Sequence, residues 1–442
     1  MKKIVSLIIL LQAALFVVAQ ENTYSLQQAI EYANQHQSTA LNAALDEQMS
    51  SAKVKEIVGI GLPQIKGEID VKHFFEIPTS FIPGEFFGGE PGTYIPVQFG
   101  TPWQASAGVT ASQIIFDPTY LVGVSASKTY RELSQKNLTR TRIETAVAVS
   151  KAYYSVLVNR ERIKLLDANV DRVQKLKEDT KALFDNGFVE KIDHDRVVLA
   201  YNNINTEREN VSRLMKLSDY YLKFQMGLDV NSSITLSDSL SAEQVRNIIV
   251  SAEKFDVTKR VEYSLLQTQQ RLMTLDLKRY RVQYIPGIYA YGTYSTNAQR
   301  SKFDFFDSDG GWYPTGIVGA TLSWNLFDGT QRERKIQQAK MSLQKTENDL
   351  INTSNALALE AETNRTQLLN SLASLNTQKE NLDLANEVVR VSKLKYDQGV
   401  GSNLEVINAE TSLREAQTNY YNALYDALVA KVELDKAMGN IK

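Results

Sequence analysis

Proline and glycine, the residues that most often interrupt helices, are confined in this chain to a few places. All nine prolines fall between Pro63 and Pro118 or between Pro286 and Pro314. Outside Gly59–Gly123 and Gly287–Gly329, only Gly187, Gly227, Gly399, Gly401 and Gly439 remain. A chain of 442 residues punctuated in this way alternates long helices with short broken windows, and it does so twice. Gly187 and Gly399 are 212 positions apart, as are Met226-Gly227 and Met438-Gly439. Phe116-Asp117 and Phe327-Asp328 are 211 apart, whereas Pro63 and Pro286 are separated by 223. The 12-residue difference falls inside the windows, so the first window has the longer loop. The pattern is a tandem duplication.

The first residues, MKKIVSLIILLQAALFVVAQ, place two lysines before an apolar run and end in a small-residue cleavage site. They read as a secretory signal peptide cut after Ala19. No cysteine follows to carry a lipid anchor, and the absence of cysteine also removes disulfides, thiolate metal sites and thiol chemistry. His36, His73 and His194 lie far apart in sequence, which gives no grounds for a metal or a cofactor. A net charge of −2 gives no electrostatic case for nucleic acid. The expected organisation is a signal peptide at 1–19, a first repeat at 20–227, a linker at 228–255 and a second repeat at 256–442.

Each window contains alternating stretches. Ile65, Gly67, Ile69 and Val71 oppose Lys66, Glu68, Asp70 and Lys72, while Trp103, Ala105, Ala107, Val109 and Ala111 oppose a polar set. In the second window Val318, Ala320, Leu322, Trp324 and Leu326 oppose Ile317, Gly319, Thr321, Ser323 and Asn325. Such alternation predicts half-buried strands, at about 64–75, 103–116, 287–297 and 314–327. The strands suit either a sheet on a soluble core or a membrane barrel with its apolar face toward lipid. Four strands cannot close a barrel, and lipid tolerates no open backbone edge. The membrane reading therefore requires a barrel shared between subunits.

The helical runs from about Ser127 to Phe184 and from Thr330 to Tyr396 would reach roughly 90–100 Å at 1.5 Å per residue. A shorter helix follows each glycine turn. Ala409, Leu413, Ala416, Tyr420, Ala423, Ala427, Ala430 and Leu434 step by four and three, an alanine-rich heptad seam. The first repeat carries Val197, Tyr201, Ile204, Val211, Met215 and Leu222, interrupted by Arg208 and Ser218.

This plan resembles the TolC family of outer-membrane efflux proteins over essentially all of the mature chain. The residues that carry the resemblance are LPQI at Leu62–Ile65, YIPGI at Tyr284–Ile288, IIFDP at Ile114–Pro118 and WNLFDG at Trp324–Gly329, with the long segment Tyr396–Gly439. The order of these motifs and their duplication are more specific than any one of them. The resemblance implies a mainly α fold with a transmembrane β-barrel. Duplicated long-helix hairpins would form a periplasmic α-barrel, and each chain would give four strands to a trimeric twelve-stranded barrel. Helices Ser25–Gly59 and Ile192–Gln225 would stack end to end beside the long helix, as would Asp256–Tyr284 and Asn403–Lys436. The chain would sit in the outer membrane of a Gram-negative bacterium, in contact with its lipid. It would work with a periplasmic adaptor and an inner-membrane pump, as the exit duct for small molecules or secreted substrates.

The same resemblance places an acid six positions after each turn glycine, here Asp193 and Glu405, at the closed end of the pore. A trimer would make a ring of three Glu405 carboxylates. Where relatives carry a second acid this chain has Asn408, so the ring is less charged. Tyr396 matches a tyrosine that ties neighbouring helices shut, and Gly401 stands where a basic partner is usual. Asp193 and Glu405 also suit a simpler role, as helix N-terminal acids that offset the dipole. Gly187, Gly399 and Gly401 are expected at positive φ in the hairpin turns. Phe188, Val189 and Val400 beside them would be exposed apolar contacts for the adaptor.

No nucleophile motif, phosphate loop or metal-ligand spacing argues for an enzyme. The alternative function is an exported coiled-coil structural or adhesive protein. It accounts for the helices and the signal peptide, but not for four strands placed identically in two repeats.

Overall fold

The computed structural model describes residues 23–240, 254–307 and 310–441. The signal peptide and the second half of the expected linker lie outside these residues. The described chain divides into a helical unit (1–48, 133–267 and 348–442) and a strand-bearing unit (49–132 and 268–347).

In the helical unit, β1 (Thr23–Tyr24) leads into α1 (Leu26–His36), which opens with a reciprocal capping box between Ser25 and Gln28. Helix α2 (Ser38–Gly59) begins after a break at Gln37, so the single helix expected from Ser25 to Gly59 is two. The cause is local. Gln37 is extended at ψ 131°, and its side-chain oxygen accepts from the Thr39 and Ala40 amides, at 2.6 and 3.2 Å, capping the next helix. In the second repeat the helix expected from Asp256 likewise opens as a separate 3-10 turn, Val257–Lys259. Arg260, extended at ψ 125°, then separates that turn from α5 (Val261–Val282). Gln37 and Arg260 are 223 positions apart, the same offset as Pro63 and Pro286.

Two long helices, α3 (Pro118–Asp185) and α6 (Gln331–Asp397), contribute residues to both units. Within the helical unit α3 returns as α4 (Lys191–Met226), and α6 returns as α7 (Asn403–Ala437). The seams advance in steps of seven. Leu368, Leu375, Leu382 and Val389 of α6 are buried against α7, where Ala409, Leu413, Ala416, Ala423, Ala427, Ala430 and Leu434 are also buried. A strict seven-residue repeat on a 3.6-residue helix imposes a left-handed supercoil. Leu166 and Val173 of α3 meet Ile204 and Val211 of α4 in the same way. Of the two polar interruptions in α4, Ser218 is buried and donates to the Met215 carbonyl at 2.8 Å, whereas Arg208 points outward and pairs with Asp167.

Part of the expected linker is built into this unit. Strand β6 (Thr235–Leu236) pairs in parallel with β1. Asp238 beyond it accepts from the Leu26 amide and from the hydroxyl of Tyr153, a ring wholly buried in α3. Burial, followed by the hydrogen bond to Asp238, holds the Tyr153 phenol protonated well above its usual range.

The strand-bearing unit holds a four-stranded antiparallel sheet of β2 (Gln64–His73), β5 (Trp103–Phe116), β7 (Gly287–Arg300) and β8 (Tyr313–Ser323), in the order β2-β5-β7-β8. Strand β8 stops short of the expected residue 327, because Ser323 pairs with Gly287 and Pro286 ends β7. The longer first window also forms a hairpin, β3 (Thr79–Pro83) with β4 (Tyr94–Gln98). Each strand-to-helix return is tied by its FD aspartate. Asp117 accepts from the Thr119 and Tyr120 amides and from the Tyr289 hydroxyl. Asp328 accepts from the Arg332 backbone and guanidinium, and that buried guanidinium also reaches the Gln283 and Asn325 carbonyls.

Candidate functional site at the hairpin tips

Both turns are built alike. Gly187 donates to the Phe184 carbonyl and Phe188 to Leu183; 212 positions on, Gly399 donates to Tyr396 and Val400 to Lys395. These paired bonds form a Schellman motif, which needs a left-handed residue just past the helix end. Gly187 and Gly399 supply it at φ 76° and 74°. Gly401 differs from expectation in having no positive φ. Its requirement is space, since a Cβ there would fall 2.8 Å from the Cβ of Lys395. Phe188 and Val400 are exposed at 78% and 77%, while Val189 is half-buried and so presents less apolar surface than expected.

Asp193 and Glu405 occupy the same position, the third residue of α4 and of α7. The amide of Glu405 donates to the Ser402 hydroxyl at 3.2 Å, which caps α7. Both acids thus lie where a helix N-terminus favours negative charge. Glu405 and Asn408 are exposed, Asp193 is half-buried, and Arg196 lies 3.7 Å from its carboxylate. A bond from the Asn403 side-chain amide to the Asp193 carbonyl, at 3.0 Å, joins the starts of the two returning helices.

Tyr396 continues the series Leu368, Leu375, Leu382, Val389, seven residues further on. Its hydroxyl is buried and has no hydrogen-bond partner among the described residues. The residue borders a cavity of about 30 Å³ together with Arg172, Lys175, Asp179, Val406 and Glu410. The tie to a neighbouring helix expected of Tyr396 is therefore not made among the described residues.

A set of charged links that the sequence reading did not pick out joins the two hairpins above their tips. Arg172 of α3 grips Glu410 of α7 with two parallel bonds, Nε to Oε1 at 3.1 Å and Nη2 to Oε2 at 3.2 Å. Asn169 donates to Gln417 at 2.6 Å, with both residues buried. Glu207 of α4 lies between Arg162, at 3.6 Å, and Arg414 of α7, at 3.4 Å. The available signal was Glu410, one place past the seam residue Ala409 and so at an e position, where coiled coils set their partner choice by charge. Arg414, one past Leu413, is at a b position and gave no such signal.

Comparison with known proteins agrees with this architecture. Residues 267–440 match the outer membrane efflux protein family. Outer membrane protein TolC of Vibrio cholerae is 21% identical over 353 residues, 76% of this chain and 77% of that protein. Among solved structures, the outer membrane protein VceC of Vibrio cholerae superposes with a TM-score of 0.71 at 15% identity, covering 94% of this chain and 96% of its own. CusC superposes with a TM-score of 0.74 at 13% identity, over 94% and 92%. The fold is that of a TolC-like outer-membrane channel protein. Over residues 267–440 the chain is similar to the outer membrane efflux protein family, and its likeness to TolC extends over most of its length.

Proposed function

We propose that three copies of this chain form the outer-membrane exit duct of a tripartite export system, conducting substrates passively from the periplasm to the exterior of a Gram-negative cell. The observation that carries this reading is the four-stranded sheet. The outer edges of β2 and β8 have no strand partner among the described residues, and its apolar face is solvent-exposed, Val318 at 91%. In lipid such edges must be paired, and three sheets of four strands give a barrel of twelve. The opposite face carries Lys66, Glu68, Asp70 and Lys72, ion-paired in twos at 2.8 and 3.1 Å, as suits a wet lumen.

In this reading the long hairpins form the periplasmic tunnel. Asp193, Tyr396, Glu405 and Asn408 line its constriction, and Phe188 and Val400, with the less exposed Val189, receive a periplasmic adaptor that couples the duct to an inner-membrane pump. The names of the relatives favour export, and energy comes from the partner. Native mass spectrometry of protein extracted in mild detergent tests the proposal. A trimer that needs detergent supports it. A monomer or dimer stable without detergent overturns it in favour of an exported coiled coil.

A further inference from the structure

We propose that the polar face of the sheet is a charge-silent passage. Lys66 and Lys72 act as built-in counter-charges to Glu68 and Asp70, so this part of the duct admits hydrophilic solutes of either sign. The inference rests on the shared-barrel reading, in which this face lines the lumen, and adds which solutes that lumen accepts.

The register sets the face out in rows, one residue from each strand it crosses. Lys66 heads one row, and Glu68, Asp70 and Lys72 head the next three. No other residue in these rows is charged. Strands β5, β7 and β8 fill them with serine, threonine, glycine, asparagine and glutamine, plus one isoleucine and one tyrosine. A hydrogen bond between the Thr110 and Thr293 hydroxyls at 3.1 Å, and one from the Asn297 amide to Thr315 at 3.2 Å, cross this surface between strands.

The charge of the rows is thus gathered on β2, in the order plus, minus, minus, plus. Lys66 Nζ lies 2.8 Å from a Glu68 oxygen, and Lys72 Nζ lies 3.1 Å from an Asp70 oxygen. All four side chains are at least 40% exposed, and ion pairs so open to solvent contribute little to stability. An open sheet edge is commonly guarded by lysine, but that does not call for an acid beside each one. Cancellation does. In a threefold barrel an unpaired Glu68 would form a ring of three carboxylates, the kind of ring that selects cations. Low-dielectric walls would focus its field into the passage. With a lysine in contact, each acid leaves only a short dipole, whose field fades with distance faster than that of a charge.

The chain has no cysteine, so one thiol introduced by Ser106→Cys, in the row of Asp70, reports on this surface alone. The full-length variant would be reconstituted in phosphatidylcholine vesicles. It would be treated on both sides of the membrane with a cationic and an anionic methanethiosulfonate of similar size. The ratio of their rates, divided by the ratio for a small thiol in solution, measures the local potential. It is expected to lie within about threefold of one. Adding Lys66→Gln and Lys72→Gln should raise it about tenfold, because uncompensated acids concentrate cations. Adding Glu68→Gln and Asp70→Asn as well should bring it back near one.

A larger departure from one in the Ser106→Cys protein, in either direction, overturns the cancellation and leaves the barrel standing. So does a ratio that ignores the loss of both lysines. The first measurement decides by itself if the lysine variants do not assemble. A thiol that neither charged reagent reaches, but that a membrane-soluble maleimide modifies, places this face toward lipid and overturns the shared-barrel reading itself.

Discussion

Gly227 lies so close to His36 that a methyl group on its Cα would fall 2.7 Å from the His36 carbonyl oxygen. In the second repeat Gly439 stands in the same relation to Lys259, with 2.9 Å to its carbonyl. Both glycines end a returning helix at positive φ, 77° and 74°, and both abut the place where the facing chain breaks. Each repeat thus joins a helix end to a helix break through a contact that has no room for a side chain.

Alanine at Gly227 or Gly439 should therefore cost about 3 kcal/mol or more, from left-handed strain plus backbone overlap. At Gly187 or Gly399, where a Cβ meets open space, the cost should be only about 1 kcal/mol. Chemical unfolding of the four variants, followed by circular dichroism, checks the contrast. Equal losses at all four positions would contradict it.

The two-pronged bond between Arg172 and Glu410 should act as a coupled unit. Alanine at either residue is expected to destabilise the hairpin pair, and a double-mutant cycle should return a coupling of about 1–2 kcal/mol. A coupling near zero would place Arg172 among the ordinary solvent-screened pairs.

Replacing Tyr396 with Phe removes a hydroxyl that has no partner among the described residues, so stability should hold or rise. A loss above about 1 kcal/mol would instead show that the hydroxyl is bonded to a neighbouring copy in the assembly. Thermal unfolding in detergent distinguishes the two.

Glu262 supplies an acid-sensitive contact. Burial raises its pKa, but the Arg260 hydrogen bonds and charge outweigh this and hold it below the usual 4.5. A depressed carboxylate stabilises the fold fully above the unfolded value, and that contribution disappears as the pH falls through the folded value. Stability of the native protein should thus decline below about pH 4.5, whereas Glu262→Gln should lower stability at neutral pH and flatten the acid decline. An unchanged pH profile in the variant would rule Glu262 out.

Much of this could be read in the sequence, and the reasons are specific. The α7 seam was legible residue by residue, because alanine and leucine at heptad spacing leave few other ways to bury a helix. The strands were legible from alternation, though their ends were set by partners, as Pro286 shows for β8. The break at Gln37 carried no glycine or proline to announce it; a glutamine side chain capping the following helix leaves no compositional mark. The grip of Arg172 on Glu410 was hidden for a different reason. The two residues are 238 positions apart, and nothing local pairs them.

The seven-residue step of the seams also restricts how such a chain can change. One residue added to α6 would turn everything beyond it by about 100° and carry Leu382 and Val389 away from α7. Seven residues added to α6 alone would restore the facing but leave α7 one layer short of the turn. Length can be gained or lost only in whole heptads, and only in both arms of a hairpin together. Lineages that shorten or extend these hairpins are expected to differ by multiples of fourteen residues per repeat.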